Sequence, residues 1–594
     1  RANYGADMAL PDMIWGKVLR SPHAHAEILS IDTSKAEAHK DVLAVATFAD
    51  FPGGKAGSVR DLARNILADD KALYHGHAIA AVAARSERLA EEALALIEVT
   101  YKPLKPVLDA TYAMQDDAPI LHEDMFTEGY EKAPDKPSNI ATRTELKIGD
   151  VETGFAAADI IVERDFYTPT AHQGYIEPHA CTVRFDEDGQ SMIWCSTQGH
   201  CDVRASTAKI LDMPLGKLKV IPSEIGGGFG GKTTIYLEPV ALALSRKSGK
   251  PVKMVMDRDE VFIATGPTSA ARVWAKVGAK KDGSITAMQG RMAFEAGAFK
   301  GSPMQPGVMA MFTPYDCANV SVEGFDVVVN KSKVAAYRAP GAPQSEFAAE
   351  MVVSELAEKL GMDPLDLRIK NAAKEGTQTI YGPKLKRVGL VECLTAAKNS
   401  PHYQSALAQG QGRAVASGFW FNIGGQSSVT INMNPDGTGT VVEGSPDIGG
   451  SRASMQMMAA EELGIDIDRL KPIVADTENV AVSQGTGGSR TTFATGLATI
   501  EAARDVIRQL KERAAALWNV TPEQVDYADG IATNLSGEDK LTVADICKGA
   551  EKTGGQISGQ ANLNARGAGP SFAVHVCDLK VDQDTGKVDV TRYT

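Results

Sequence analysis

Between Ile221 and Thr234 the chain reads IPSEIGGGFGGKTT, with five glycines in six positions, Gly226 to Gly231, around the single aromatic Phe229. Residues of this type suit close approach of main chain to a ligand. Glycines reach φ > 0 without a Cβ penalty, and successive N–H groups then converge on one concave site that favours an oxygen-rich or anionic partner. The apolar stretch 218–222 predicts a strand before the run, and 232–248 predicts a helix after it, closed by Gly249. Strand, glycine turn and helix start would together make an anion site.

Two other readings share these residues. Gly226, Gly228 and Gly231 satisfy G-x-G-x-x-G, and Asp257 ends the next apolar segment, as in a nucleotide-binding βαβ unit. Against it, Pro222-Ser223-Glu224 separates the strand from the glycines, and the spacing to Asp257 is long. Glycines placed only for close helix packing would also explain a single run. Further turns of the same kind weaken that explanation: Ala335 to Gly341, Asp447-Ile448-Gly449-Gly450-Ser451-Arg452, and Gly485 to Thr492.

The elements that must hold these turns follow from periodicity. In the first 115 residues, 77–84 is a small-residue apolar run suited to a buried strand. Ser86 can cap a helix whose Leu89, Ala93, Leu96 and Ile97 share a face. Residues 116–144 are polar and carry Pro119, Pro134 and Pro137, which predicts a linker. The region 145–375 begins with strands at 160–167, 180–185 and 192–196, the last two joined as a hairpin at Asp186 to Gly189, and ends with a helix over 344–360 closed by Gly361. After a connector, 376–409, the region 410–594 repeats the plan. A hairpin turns at Asn434 to Gly437, one helix ends at Gly464, and another spans about 495–518. The last stretch reads as a hairpin turning at Asp584-Thr585-Gly586 whose second arm is cut, and the first residues read as the middle of a segment, so a longer polypeptide is expected.

Composition narrows the class. The chain has 594 residues, 43% hydrophobic and 23% charged, with a formal net charge of −13. A chain of this length exceeds one ordinary core, and an acidic balance argues against nucleic acid or an anionic membrane as partner. No apolar run approaches the roughly 18 residues needed to span a bilayer. The seven cysteines are scattered without a C-x-x-C pair, which excludes a zinc ribbon or an iron–sulfur cluster held by this chain alone and predicts reduced thiols in a cytoplasmic protein. His23 and His25, and His179 beside Glu177, lack the further ligands a metal site needs, so core or turn histidines are expected.

Four features in order carry a resemblance: Ser196-Thr197-Gln198, then GGGFGGK, then Tyr337-Arg338, then TGGSRTT from Thr486 to Thr492. Together they resemble the molybdenum-binding large subunit of the xanthine oxidase and aldehyde oxidoreductase family, the molybdenum hydroxylases. Gly16 to Ile28 resembles that family's hammerhead domain. The implied fold is α+β: a small hammerhead-type α/β domain, 1–115, followed by two mixed α/β molybdenum-cofactor-binding domains, 145–375 and 410–594.

The resemblance implies that Gln198, Phe229, Arg338 and Gly488 lie against the metal and its ligands. Gly230 is implied beside Phe229 at the metal's oxygen ligands and the dithiolene end, Thr486, Ser489, Arg490 and Thr491 in binding the pterin and its phosphate, and Gly228, Gly449 and Gly450 in binding the cofactor. The metal would be held by the cofactor's own sulfurs, which accounts for the lack of a His/Cys ligand cluster. The implied cofactor is molybdenum-molybdopterin, with its cytosine dinucleotide form among the options. The implied reaction is oxidation of an aldehyde or nitrogen-heteroaromatic substrate with water as oxygen source. Electrons would pass to 2Fe-2S clusters and FAD on an iron–sulfur subunit and a flavin subunit, because this chain has no cluster motif.

Departures from the family limit the reading. Thr233 stands where purine-oxidising members carry glutamate, and Pro306 near where they carry arginine, which argues against purine oxidation. The loop at Tyr337-Arg338-Ala339-Pro340 lacks the cysteine of carbon monoxide dehydrogenases. Gly450 replaces a cofactor-binding glutamine found in many relatives. The family's essential glutamate base falls beyond the position of Thr594, so no residue here is assigned as catalytic, and a continuation or separate chain completing the C-terminal domain is expected to supply it. A non-catalytic cofactor-holding subunit of the same fold, and a nucleotide-dependent dehydrogenase using 226–231, remain the alternatives.

Overall fold

The structure is a computed structural model and describes residues 2–594. The chain packs into two compact units that are not continuous in sequence: the first takes residues up to 104, 173–265 and 423–568, the second 105–172, 266–422 and 569–594.

The first unit is built on a seven-stranded mixed sheet in the order Leu218–Pro222, Ser191–Cys195, Ala180–Arg184, Val252–Val255, Ile14–Arg20, Ala78–Ala84, Val42–Ala46. Ile14 pairs with Val252 in parallel, so strands from the N-terminal region and from the middle of the chain share one sheet. Ala78–Ala84 is buried along its whole length, as its unbroken run of small apolar residues requires for a strand covered on both faces. The hairpin expected at 186–189 forms, with Cys195 opposite Cys181. Ser86 caps the helix Glu87–Leu94 by accepting from Leu89 N–H. That helix stops short of the expected Ile97, because Glu98–Pro103 is a strand paired with Ala26–Asp32.

The expected helix over 232–248 begins only at Glu238. Pro239 explains the difference: its ring would clash with the carbonyl of Ile235, and it has no N–H to return to that residue. It is accepted in the first turn, and Gly249, at φ 65°, closes the helix as expected. The helix N-terminus therefore does not stand at the glycine turn, and the strand–turn–helix anion site is corrected to a loop held by side chains.

A second sheet of this unit runs Leu470–Val474, Gly439–Glu443, Gly425–Met433, Ser558–Ala565. Helices Ser451–Leu463 and Gly496–Trp518 cover it, and Val429, Ile431 and Val441 meet Ala502, Val506 and Leu510 in its core. Ahead of the second helix lies a π-helical turn, Thr491–Thr495. Such turns commonly sit at functional sites.

The second unit contains a five-stranded sheet, Ile140–Ile148, Val320–Val328, Ile285–Gly297, Ala271–Ala279, Ile160–Thr168. Val273, Ala275 and Val277 point to a core shared with Val352, Val353 and Leu356 of helix Ala342–Leu360, while Arg272, Trp274 and Lys276 alternate to the other face, the period of two expected of a strand. A three-stranded sheet of Gln411–Trp420, Ser571–Val581 and Val588–Tyr593 completes this unit and contains the hairpin at Gly586. Among the described residues, no helix is long and apolar enough to cross a membrane.

Candidate cofactor site

The glycine run of the first unit is shaped first by protein side chains. A Cβ on Gly226 would lie 2.6 Å from Glu177 Cβ, one on Gly231 2.6 Å from Tyr175 Cε1, and one on Gly228 2.5 Å from Gln198 Oε1. Gly227 and Gly230 take φ values of 97° and 112°, which side-chain-bearing residues avoid. Close approach to Tyr175, Glu177 and Gln198 thus accounts for three of the glycines, and backbone conformation for the other two.

Glu177 is the centre beneath the loop. Its Oε2 accepts from Gly226 N–H at 2.7 Å, from Ser196 Oγ at 3.0 Å and from Lys232 Nζ at 2.6 Å, and its Oε1 accepts from Gly5 N–H at 3.2 Å. Lys232 is wholly buried, its ammonium 5.2 Å from the Tyr175 ring centroid. Burial pushes its pKa down, against the pull of Glu177. His179 lies beside this pair as a buried ring against the Tyr175 hydroxyl, 2.8 Å away.

Gln198 joins this loop to a distant one. Its Oε1 accepts from Gly230 N–H at 2.9 Å and Lys232 N–H at 3.2 Å, and its Nε2 donates to Thr486 O at 2.7 Å. Thr486 N–H returns a bond to Gln198 O at 2.7 Å. Two segments 288 residues apart are sewn together by one residue, and the second hydrogen of its amide has no partner among the described residues.

The third-region turns divide between scaffold and surface. Thr486 Oγ1 donates to Pro446 O, and Thr491 Oγ1 reaches Thr486 Oγ1. The Arg490 guanidinium is buried and spends its hydrogens on Gly424 O, Gln484 O, Gln426 O and Ser427 Oγ. These three side chains build the loop. Gly450 N–H and Ser451 N–H are both taken by Asp447 Oδ1, at 2.8 and 2.7 Å. Asp447 Oδ2 meets Arg452, which also makes a two-pronged pair with Glu224, at 2.9 and 2.7 Å, just before the glycine run. Burial would raise the Asp447 carboxyl, but the bonds from Arg452, Gly450 and Ser451 outweigh it and hold its pKa below the usual value. Behind the turn, neither oxygen of the buried Glu443 has a hydrogen-bond partner among the described residues, and burial pushes its pKa up to about 8.

What the first unit presents outward is main chain. Phe229, exposed at 43%, has φ 52°, and Ser489, also exposed, has φ 60°. Left-handed conformations in residues other than glycine cost of order 1–3 kcal/mol and cluster at ligand sites. Gly449 and Gly450 are exposed at φ 89° and 97° with open space where a Cβ would stand. Gly488, at φ 63°, receives Ile423 N–H on its carbonyl. Arg338 lies in the second unit, exposed at φ 21°, followed by Ala339 at φ 59° and by Gly341, where a Cβ would stand 2.2 Å from Pro303 O.

The exposed main chain at Phe229, Gly449 and Ser489, with the Gln198 amide behind it, carries no formal charge, and it fits an oxygen-rich group that brings its own metal ligands. Among the described residues no cluster of three or more His, Cys, Asp or Glu could hold a metal directly. Sequence reasoning missed Glu177, Lys232, Glu224, Asp447 and Arg452 as site builders. Only the lysine closing the glycine run and the basic residue after Ser451 gave any signal. The nucleotide reading loses its main requirement, since the glycines do not open a helix.

Comparison with known proteins agrees with this chemistry. Residues 1–105 match the aldehyde oxidase and xanthine dehydrogenase a/b hammerhead domain, and residues 132–372 and 394–594 each match a molybdopterin cofactor-binding domain. The chain is 32% identical over 531 residues to a probable xanthine dehydrogenase subunit of Bacillus subtilis (strain 168), covering 86% of this chain and 69% of that protein. The chain belongs to the xanthine oxidase and aldehyde oxidoreductase family of molybdenum hydroxylases. Another member of this family, the nicotinate dehydrogenase large molybdopterin subunit of Eubacterium barkeri, is 34% identical over 403 residues, 67% of this chain and 91% of its own. The Cu,Mo-CO dehydrogenase in its carbon monoxide reduced state superimposes with a TM-score of 0.90 at 26% identity over all of this chain and 81% of that one. The hammerhead domain and two cofactor-binding domains expected from sequence are thus those of a molybdopterin-binding oxidoreductase.

Proposed function

We propose that this chain is the molybdenum-binding subunit of a hydroxylase acting on an aldehyde or a nitrogen-heteroaromatic compound, with Gln198, Gly228, Phe229, Gly230, Gly449, Gly450, Thr486, Gly488, Ser489, Arg490, Thr491 and Arg338 as its cofactor-holding residues. The observation that supports this reading is the Gln198 amide, which fixes the 226–232 loop to Thr486 and has a second amide hydrogen without a partner among the described residues. When bound, the molybdenum-molybdopterin group supplies two-electron oxidation of a carbon centre with oxygen drawn from water. Gln198, Phe229, Gly230, Gly488 and Arg338 orient that group. Gly449 and Ser489 offer main chain to its pterin end, while Thr486, Arg490 and Thr491 act by holding the loop.

We further propose that iron–sulfur and flavin carriers sit on partner chains, that the pterin is bound either plain or as its cytosine dinucleotide, and that the complex works in the cytoplasm. The scattered cysteines, which give no cluster motif in the sequence, support the placing of the iron–sulfur carrier on a partner. Metal and pterin analysis of the intact complex, with identification of its co-purifying chains, is the first test. It is to be followed by turnover of aldehydes and N-heterocycles in ¹⁸O-labelled water. About one molybdenum per chain and labelled product are expected. A molybdenum-free complex, or product oxygen that is not from water, refutes the reading.

A further inference from the structure

We infer that Glu177 and Lys232 form a positioning pair that clamps both ends of the 226–231 loop and so fixes the Phe229 and Gly230 main chain toward the cofactor. The inference rests on the reading of that loop as cofactor-facing. The first residue of the loop and the residue that closes it reach the same carboxylate oxygen: Gly226 N–H at 2.7 Å and Lys232 Nζ at 2.6 Å, both on Glu177 Oε2. Lys232 also gives its own N–H to Gln198 Oε1 at 3.2 Å. A shift of the Lys232 main chain therefore disturbs the Glu177 clamp and the Gln198 bridge together.

Stability alone does not explain the pair. Both side chains are buried, and the desolvation of two charges offsets most of their attraction, so that apolar residues of the same volume are commonly as stable or more so. An apolar pair, however, could not accept Gly226 N–H at the start of the loop, nor Gly5 N–H and Ser196 Oγ–H, which hold the Glu177 carboxylate in place. Arg258 is the other cation acting on Lys232. It is anchored on Tyr175 O and Ile176 O at 2.9 and 2.6 Å. The segment carrying Glu177 is thereby fixed from its outer side as well, and the clamp acts from a stationary base.

Lys232→Met and Glu177→Gln in the intact complex test this. Glu177→Gln keeps the shape and one acceptor, so it serves where Lys232→Met lowers folding yield. Three quantities are measured: amide exchange of 226–232 in the full chain without cofactor, molybdenum content, and the paramagnetic signal of the partly reduced metal. Expected are at least tenfold faster exchange at 226–232, a changed signal, and kcat lowered about tenfold or more with KM within about threefold, at near-normal molybdenum content. Unchanged exchange overturns the clamp. Faster exchange with an unaltered signal overturns its action on the cofactor and points to a loop that does not face the metal. Absence of molybdenum from the unsubstituted complex would instead sink the functional reading and leave the exchange result standing.

Discussion

Replacing Gln198 with leucine is the most direct perturbation of the site, because the side chains are close in size and only the polar bridge is removed. In the folded protein the amide satisfies Gly230 N–H, Lys232 N–H and Thr486 O at 2.9, 3.2 and 2.7 Å. Gly230 and Lys232 are buried. A buried polar group left without a partner costs roughly 1–3 kcal/mol. Two stranded N–H groups then cost about 2–6 kcal/mol, and the half-buried Thr486 carbonyl adds little. The chain either carries that cost or opens the loop to hydrate the amides. Thermal unfolding is expected to fall by roughly 3–8 °C, or amide exchange at 228–232 and 485–488 to rise by at least tenfold, with reduced cofactor retention in both cases.

Gln198→Glu sharpens the test. A carboxylate still accepts from Gly230 and Lys232 but faces the Thr486 carbonyl with no hydrogen to donate, whereas the protonated acid restores all three bonds. The stability of this variant should therefore approach that of the unsubstituted chain as pH falls toward 5, and separate from it as pH rises to 8. A leucine variant with unchanged melting and exchange, or a glutamate variant whose deficit is independent of pH, refutes the bridge.

Arg452→Met should cost about 1–3 kcal/mol, because it strips partners from Glu224 and from Asp447, whose bonds shape the 447–451 turn; limited proteolysis within that turn reads the loss. Gly129→Ala should destabilise by several kcal/mol in chemical unfolding, since its Cβ would stand 1.9 Å from Arg143 O at φ 96°. Gly376→Ala, at φ 89° with open space around it, should cost only the roughly 1–2 kcal/mol of a left-handed alanine. Glu443 has its pKa raised to about 8 by burial and by Asp447, against the pull of Arg452. A raised carboxyl pKa gives a stability contribution that is complete below the unfolded value of about 4.3 and lost as pH rises through about 8, so Glu443→Gln should flatten the fall of stability across that window in denaturant titrations. His200 works the other way. Burial lowers its pKa to about 4, and its contribution is present above about 6.5 and lost as pH falls toward 4.

Local pattern carried part of the fold, while long strands such as Ala271–Ala279, Ile285–Gly297 and Val320–Val328 went unread. The strand at 78–84 was legible because it is apolar throughout, the hairpins because turn residues separate alternating runs, and the helix ends because Gly249, Gly361 and Gly464 all adopt left-handed φ. The helix begun too early, at 232, shows how one proline outweighs a favourable period. The site was legible only where its residues are neighbours in sequence. Glu177 and Lys232 are 55 positions apart and Gln198 and Thr486 are 288 apart, and nothing in a propensity or a period reports such pairs. The glycine run shows the same limit in its cause. Its composition reads as room for a ligand, yet Tyr175, Glu177 and Gln198 occupy the room that Gly226, Gly231 and Gly228 give up. The strained backbone lies instead at Phe229 and Ser489, which hold left-handed conformations that glycine would adopt without strain. Such strain persists only because Gln198, Glu177 and the Arg490 bonds over-determine the two turns, and that rigidity is what a cofactor held mainly by main-chain atoms requires.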